Sequence, residues 1–413
     1  MNDHRRVVVL VRNLLLFESA MYSALTPVLP HYAHALGASK PAVGVLAASY
    51  PAGILPGSLL SLWIANRGGV RRTTLVGLIV FAASIAGFGF GTEIVTLDAL
   101  RFVQGAACGC IWGGGLTWVI AVAPREHRGE MLGSVIAAAI VGTLLGPVLG
   151  TLAVTVGTGP VFAVVGAVSL GLAAWTLRYP EPPPPERSAD ASPWVLARNP
   201  RARLGAWLIL LEAATVGATG TLLPLRLSRF GASGLEIGAT FLVASLLSAR
   251  VASPIGRMVD RRGSRLPLIV GLTMTAVLLS LLPLPHSALA LAAVSAVAIG
   301  GPLTAYTIPA IALLTASAER AGVALAVATM LLNLAWATGE TIGAPAAAIL
   351  SQATSDAVPL LALAVLMLVT LRAVMRVRLE IPDSEPAPAD TPAPADTPAP
   401  AGARAPQPPV PAR

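Results

Sequence analysis

Charge is what this chain has least of. Asp, Glu, Lys and Arg make up 12% of its 413 residues, about half the share of an average soluble domain. A surface held in water needs more ions than that, so a soluble globular protein is excluded. Cysteine is nearly absent as well: Cys108 and Cys110 are the only two. Two positions apart on a helix, their side chains diverge, and no disulfide joins them. The sequence also lacks a metal-ligand cluster, a nucleophile–base pair and a phosphate loop of the G-x-x-x-x-G-K-[ST] kind. An enzyme is therefore the least supported class, and no cofactor is expected. No cleavable leader is read at the start, because the first apolar run is of full membrane length and lacks a small-residue cleavage site.

Apolar residues take the place of what is missing. They make up 55% of the chain, with a mean hydropathy of +0.75. A helix crosses the hydrocarbon core in about 20 apolar residues. By that ruler the chain holds twelve spans, at 7–30, 42–65, 73–92, 97–122, 131–155 and 160–178, then 204–225, 236–256, 266–285, 288–315, 322–350 and 357–376. All but five of the 28 Lys and Arg lie at the termini or in every second connection; the exceptions are Lys40, Arg101, Arg226, Arg229 and Arg250. The net charge of +8 thus follows the positive-inside pattern of a multi-pass protein, not a nucleic-acid surface. Both termini are expected in the cytoplasm, the chain in an inner or plasma membrane, and the lipid bilayer as its surroundings. It is read as working as a monomer.

The expected fold is all-α, with twelve transmembrane helices in two six-helix bundles. The second bundle repeats the first. Subtracting 194 carries Arg261, Gly263 and Arg265 onto Arg67, Gly69 and Arg71, Gly238 onto Gly44, and Glu212 onto Glu18. One offset kept over more than fifty residues marks a duplication. The domains are then 1–178 and 204–380, joined by a polar, Pro-rich linker at 179–203. A Pro/Ala-rich tail at 381–413 has too few large apolar residues to fold.

Polar groups inside the spans are the candidate functional residues, since each is costly in lipid. Glu18 lies near the middle of the first span, with Tyr22 one turn on. Glu212 is its partner in the repeat. Glu340 in the eleventh span has Trp336 one turn below it and Asn333 two turns below. An acid stacked with an indole and an amide suits a cavity for an amphipathic or cationic molecule. In the fourth span Arg101, Gln104, Cys108 and Trp112 fall along one stripe, whereas Arg250 reads as snorkelling to the surface. The fifth span carries Gly142, Gly146 and Gly150 at four-residue spacing, a groove for close helix approach, with Pro147 as a bend.

These motifs resemble the major facilitator superfamily over residues 7–376. Its loop pattern G-x-x-x-D-R-x-G-x-R is met at Gly256, Asp260, Arg261, Gly263 and Arg265. The copy at Asn66, Arg67, Gly69 and Arg71 is eroded, with Leu62 for the glycine and Asn66 for the aspartate. The pattern R-x-x-Q-G is met by Arg101, Gln104 and Gly105. The antiporter pattern G-x-x-x-G-P-x-x-G is met by Gly142, Gly146, Pro147 and Gly150, and looks like that of proton-coupled drug exporters and vesicular amine transporters. The resemblance implies two bundles that rock about a mid-membrane cavity, with Asp260 and its arginines as a conformational gate and a weaker latch at Asn66. It implies export of a small, largely apolar organic compound in exchange for protons; the mid-span place of Glu18 makes it the expected coupling acid, with Glu212 and Glu340 as the alternatives. Two other readings stay open: proton-coupled uptake of a nutrient, and a non-transporting membrane sensor or scaffold.

Overall fold

Apolar segments with no water nearby satisfy their backbone polar groups along their own axis, and so become helices. The computed structural model is all-α. It describes residues 3–124, 128–182, 194–323 and 325–376. The tail 381–413 and residues 183–193 of the expected linker lie outside the described residues. The first half holds α1 (Asp3–Ser23), α2 (Leu25–Ala35), α3 (Lys40–Gly89), α4 (Ile94–Val122), α5 (Arg128–Val156) and α6 (Thr158–Thr176). The second holds α7 (Trp194–Arg198), α8 (Pro200–Arg229), α9 (Gly234–Arg262), α10 (Arg265–Leu281), α11 (Ala288–Arg320), α12 (Leu325–Ala353) and α13 (Ala357–Arg376). Nine helical segments among the described residues are long and apolar enough to cross a membrane, α1 and α2 forming one of them. α3 carries two spans, and the shorter α10 together with α12 completes the twelve.

Where helices bend or stop, the cause is local. Pro27 has no N–H to give the carbonyl four residues back, and α1 ends at that residue, Ser23. The segment 66–72, expected as a turn, turns at Gly69 (φ 83°, ψ 170°), where a non-helical residue separates the two helical spans of α3. Its counterpart Gly263 has φ 77° and ψ 174°. That region is open almost solely to glycine, which explains why both copies of the loop keep one there. The duplication is thus visible in the backbone itself. It recurs at the start of α3 and α9, where Ser39 and Ser233 each cap the helix through the side chain.

Two boundaries differ from the expected ones. The ninth span stops at Leu281, short of residue 285, because Pro283 and Pro285 cannot continue a helix. The freed carbonyls of Leu282, Pro283 and Pro285 accept from the Arg226 guanidinium at 2.6, 2.7 and 2.9 Å. The linker is also shorter than 179–203. Asn199 caps α8 by accepting from the backbone of Arg201 and Ala202, and Leu196 of α7 is buried in the second core.

Each half has its own apolar core. Leu14, Leu46, Phe81 and Trp118 anchor the first, Leu208, Leu272, Tyr306 and Met367 the second, and Trp336 packs against both. Inside the first half α5 meets α1 backbone to backbone: a Cβ at Gly142 would stand 2.1 Å from the Leu16 carbonyl oxygen. In the second half Gly339 and Gly343 of α12 meet the carbonyls of Leu210 and Ala214 in the same way. Between the halves, Gly44 of α3 faces Ala344 and Ala348 of α12, and Gly238 of α9 faces Pro147 and Thr151 of α5. These contacts close the seam at the end of the molecule away from the arginine-rich connections.

Candidate functional site: a carboxyl–aromatic cluster at the seam

The buried acid of α1 is the centre of the site. Glu18 is 3% exposed. One of its oxygens accepts the Tyr50 hydroxyl of α3, and the other accepts Trp112 Nε1 of α4 at 2.6 Å. Both oxygens are therefore filled. Arg101 turns inward, so the stripe on α4 is a buried one. Its Nη1 donates to Gln104 Oε1 at 2.9 Å, and Gln104 Nε2 donates to the Ser84 carbonyl at 3.3 Å. The guanidinium lies 4.4 Å from the Tyr50 ring centroid and 5.8 Å from that of Phe88, close enough for cation–π attraction.

The second half reaches this cluster through α12. Tyr22 of α1 donates its hydroxyl to Glu340 Oε1 at 2.6 Å, so a hydrogen bond crosses the seam close to mid-membrane. The Tyr22 ring packs at 5.5 Å on Tyr50 and at 5.3 Å on Trp336. Glu340 is buried, and its second oxygen has no hydrogen-bond partner among the described residues. Glu212 of α8 is half-buried and acts electrostatically on both Glu340 and Tyr22. Asn333 is half-buried two turns along α12 and makes no hydrogen bond to the cluster among the described residues. Thus Glu18, Tyr22, Arg101, Gln104, Trp112, Trp336 and Glu340 are brought together, Glu212 lies beside them, and Asn333 stands apart. Tyr50 was not singled out from the sequence. A phenol ahead of Pro51 in an apolar span was the available signal.

The charged loops at the arginine-rich end are less alike than their sequences. In the first copy Asn66 and Arg67 are exposed, with the Arg67 guanidinium 4.3 Å from the Trp63 ring centroid. The carboxylate lost at Asn66 is not missing from this loop. Glu181, just past α6, accepts the Arg71 backbone N–H at 3.2 Å, and Arg71 Nη1 donates to the Tyr179 carbonyl at 2.9 Å. In the second copy Arg261 and Arg265 are exposed, and Gly256 has open space beside it. The Asp260 side chain lies outside the described residues. Arg250 and Arg257, with Ser253 and Pro254, line a cavity of about 770 Å³ along α9. Arg250 therefore borders a cavity.

At the opposite end polar bonds lock the seam. Lys40, ahead of the second span, donates to Asp356 Oδ1 and Ser351 Oγ at 2.6 and 2.8 Å. Asp356 also pairs with Arg229 and accepts from Ser351. Burial works to raise the Asp356 carboxyl, but hydrogen bonds from Lys40, Ser351 and Arg229 overcome it and hold the group down at about 2. His34 and Ser228 add a further contact at 3.1 Å, and Thr151 donates to the Gly234 carbonyl at 3.3 Å.

Twelve spans in two bundles, sealed at one end around a buried polar cluster, define the class as a secondary transporter of the membrane. The comparisons agree. The model of the Major Facilitator Superfamily matches residues 14–340, and the chain belongs to that superfamily; it is a transport protein and not an enzyme. It is 27% identical over 272 residues to the MFS-type transporter YcaD of Escherichia coli O45:K1, covering 65% of this chain and 71% of that one. In fold it is similar to a bacterial homolog of the human lysosomal transporter Spinster, solved in an inward-facing, unoccupied conformation. The TM-score is 0.73 at 16% identity, over 91% of this chain and 96% of that one. It is also similar to the nucleoside transporter NupG, with a TM-score of 0.70 at 13% identity, over 91% and 98% of the two chains.

Proposed function

We propose that this transporter exports a small, largely apolar organic compound in exchange for protons. The observation that carries this reading is the seam cluster. Buried carboxyls from both halves, Glu18 and Glu340, share one site with Tyr22, Tyr50, Trp112 and Trp336. Aromatic faces offer area to an apolar compound, and intramembrane carboxyls are the groups that take up and release protons. The glycine face of α5, which follows the antiporter pattern, seats α1 and thereby fixes Glu18. The test is expression in a drug-sensitive host challenged with a panel of toxic organic compounds. Tolerance to at least one compound should rise and should vanish when an ionophore collapses the proton gradient. Tolerance that outlasts the gradient would remove proton coupling; sensitivity unchanged across the panel would remove export.

The same reading sets the orientation. Arginine-rich connections are retained on the cytoplasmic side, so the termini are cytoplasmic, the sealed end faces outward, and the cavity along Arg250 and Arg257 faces the cytoplasm. Single cysteines replacing Ser188 and Ser355, in a background without Cys108 and Cys110, should label from opposite sides of the membrane. Labelling of both from one side would overturn the arrangement.

A further inference from the structure

Three carboxyls and one guanidinium meet at the seam. Glu18, Glu212 and Glu340 stand in the field of one another or of Arg101, and in a low-dielectric interior one cation balances one anion. Hydrogen bonding decides which acid takes that charge. Glu18 has a donor on each oxygen. Glu340 has a donor on one oxygen only, and the other is sealed from water with no hydrogen-bond partner among the described residues. A buried carboxylate oxygen left bare is among the costliest arrangements a fold can hold. A protonated carboxyl removes that charge, and its carbonyl oxygen still accepts from Tyr22.

We infer that Glu340 is the proton-carrying acid of the sealed state, and that Tyr22 acts as a positioning residue that closes it off across the seam. This rests on the proton-coupled reading above and gives the proton an address other than Glu18. The groups that face Glu340 are Tyr22 from α1, Arg101 from α4 and Glu212 from α8. Arg101 gives Nη1 to Gln104 and lies over the face of Tyr50, and among the described residues it makes no hydrogen bond to Glu340; its Nε has no hydrogen-bond partner among them either. Because Tyr22 and Glu340 belong to different halves, parting the seam breaks their bond. Entering water then reaches the carboxyl and accepts its proton. Protonation and conformation are linked through this one contact, while Glu18 stays bonded within its own half.

Infrared titration of the full-length protein in liposomes tests this without a substrate, by reading the C=O stretch of protonated carboxyls. At neutral pH the wild type should show a buried-carboxyl component. Glu340→Gln should weaken it, leaving the share that belongs to Glu212. Glu18→Gln should leave it. Tyr22→Phe should move it to higher frequency, because the carbonyl loses its donor; this variant keeps the test intact if the Gln variant folds poorly. Absence of the component in the wild type, an undiminished component in Glu340→Gln, its loss in Glu18→Gln, or an unshifted band in Tyr22→Phe would overturn the assignment. Failure of the proton-coupled reading has a different signature: the band behaves as described, yet transport ignores the proton gradient.

Discussion

Gly142→Val should leave almost no folded protein in the membrane, while Gly171→Val should leave the yield near that of the wild type. Both glycines lie inside apolar helices, and both changes add the same atoms. At Gly142 the new Cβ would fall 2.1 Å from the Leu16 carbonyl oxygen and 3.0 Å from the Leu16 Cα, both backbone atoms that cannot rotate away. At Gly171 nothing lies within 4 Å. Overpacking a core of adaptable side chains costs about 1–3 kcal/mol; forcing two helix backbones apart should exceed ~3 kcal/mol, a large part of a typical folding free energy. Size-exclusion yield after detergent extraction measures the difference. Equal yields would show that α5 does not need its backbone contact with α1.

Asp356→Asn should shift the protein from the sealed state toward one parted at that end. Asn keeps the shape but removes the charge that holds Lys40 and Arg229 together across the seam. Arg229 is about half exposed and Lys40 about a quarter, so solvent screening keeps the expected loss to ~1–2 kcal/mol, a roughly 5- to 30-fold change in the ratio of states. Spin labels at Ala38 and Thr354 should show a longer-distance population in the variant. An unchanged distance distribution would mean the latch contributes nothing. The pH dependence follows from the depressed carboxyl. With the halves apart Asp356 loses Lys40 but keeps Ser351 and Arg229 of its own half, so it rises only part of the way toward an ordinary value of ~4; in the sealed state it lies at about 2. The latch therefore contributes fully above pH ~4 and is lost only as pH falls toward 2. Between pH 5 and 8 the latch stays constant.

Much of this architecture was legible because its determinants are local. Apolar length marked the spans, prolines marked their interruptions, and Gly69 and Gly263 marked two bends that no other residue readily adopts. The glycine face of α5 was equally plain. Its counterpart on α12 was not, because the offset of the repeat changes there. Leu16 and Leu210 are 194 apart, whereas the glycines that meet them, Gly142 and Gly339, are 197 apart. A three-residue slip hides a duplicated motif from any fixed register. The partners of Glu18 and Glu340 were hidden for another reason. Tyr50 and Trp112 reach Glu18 from other helices, and Tyr22 reaches Glu340 from the other half, so only tertiary packing brings them together. Lys40 and Asp356 were invisible for the same cause, being more than 300 residues apart in the chain.

The seam itself is lined at its crossing points by small residues: Gly44 against Ala344 and Ala348, and Gly238 against Thr151. Smooth surfaces of that kind interlock little, so at these crossing points the halves separate without prying large side chains apart, and of the aromatic pairs only Tyr22 against Trp336 must unstack. Dispersion forces then favour neither state strongly, and a few charged bonds near the surface tip the balance. Such bonds weaken as ionic strength rises, the screening length falling from about 10 Å at 0.1 M to about 3 Å at 1 M. The resting posture of this transporter should accordingly follow the salinity of the medium that bathes Lys40, Arg229 and Asp356, favouring closure in dilute surroundings and release in concentrated ones.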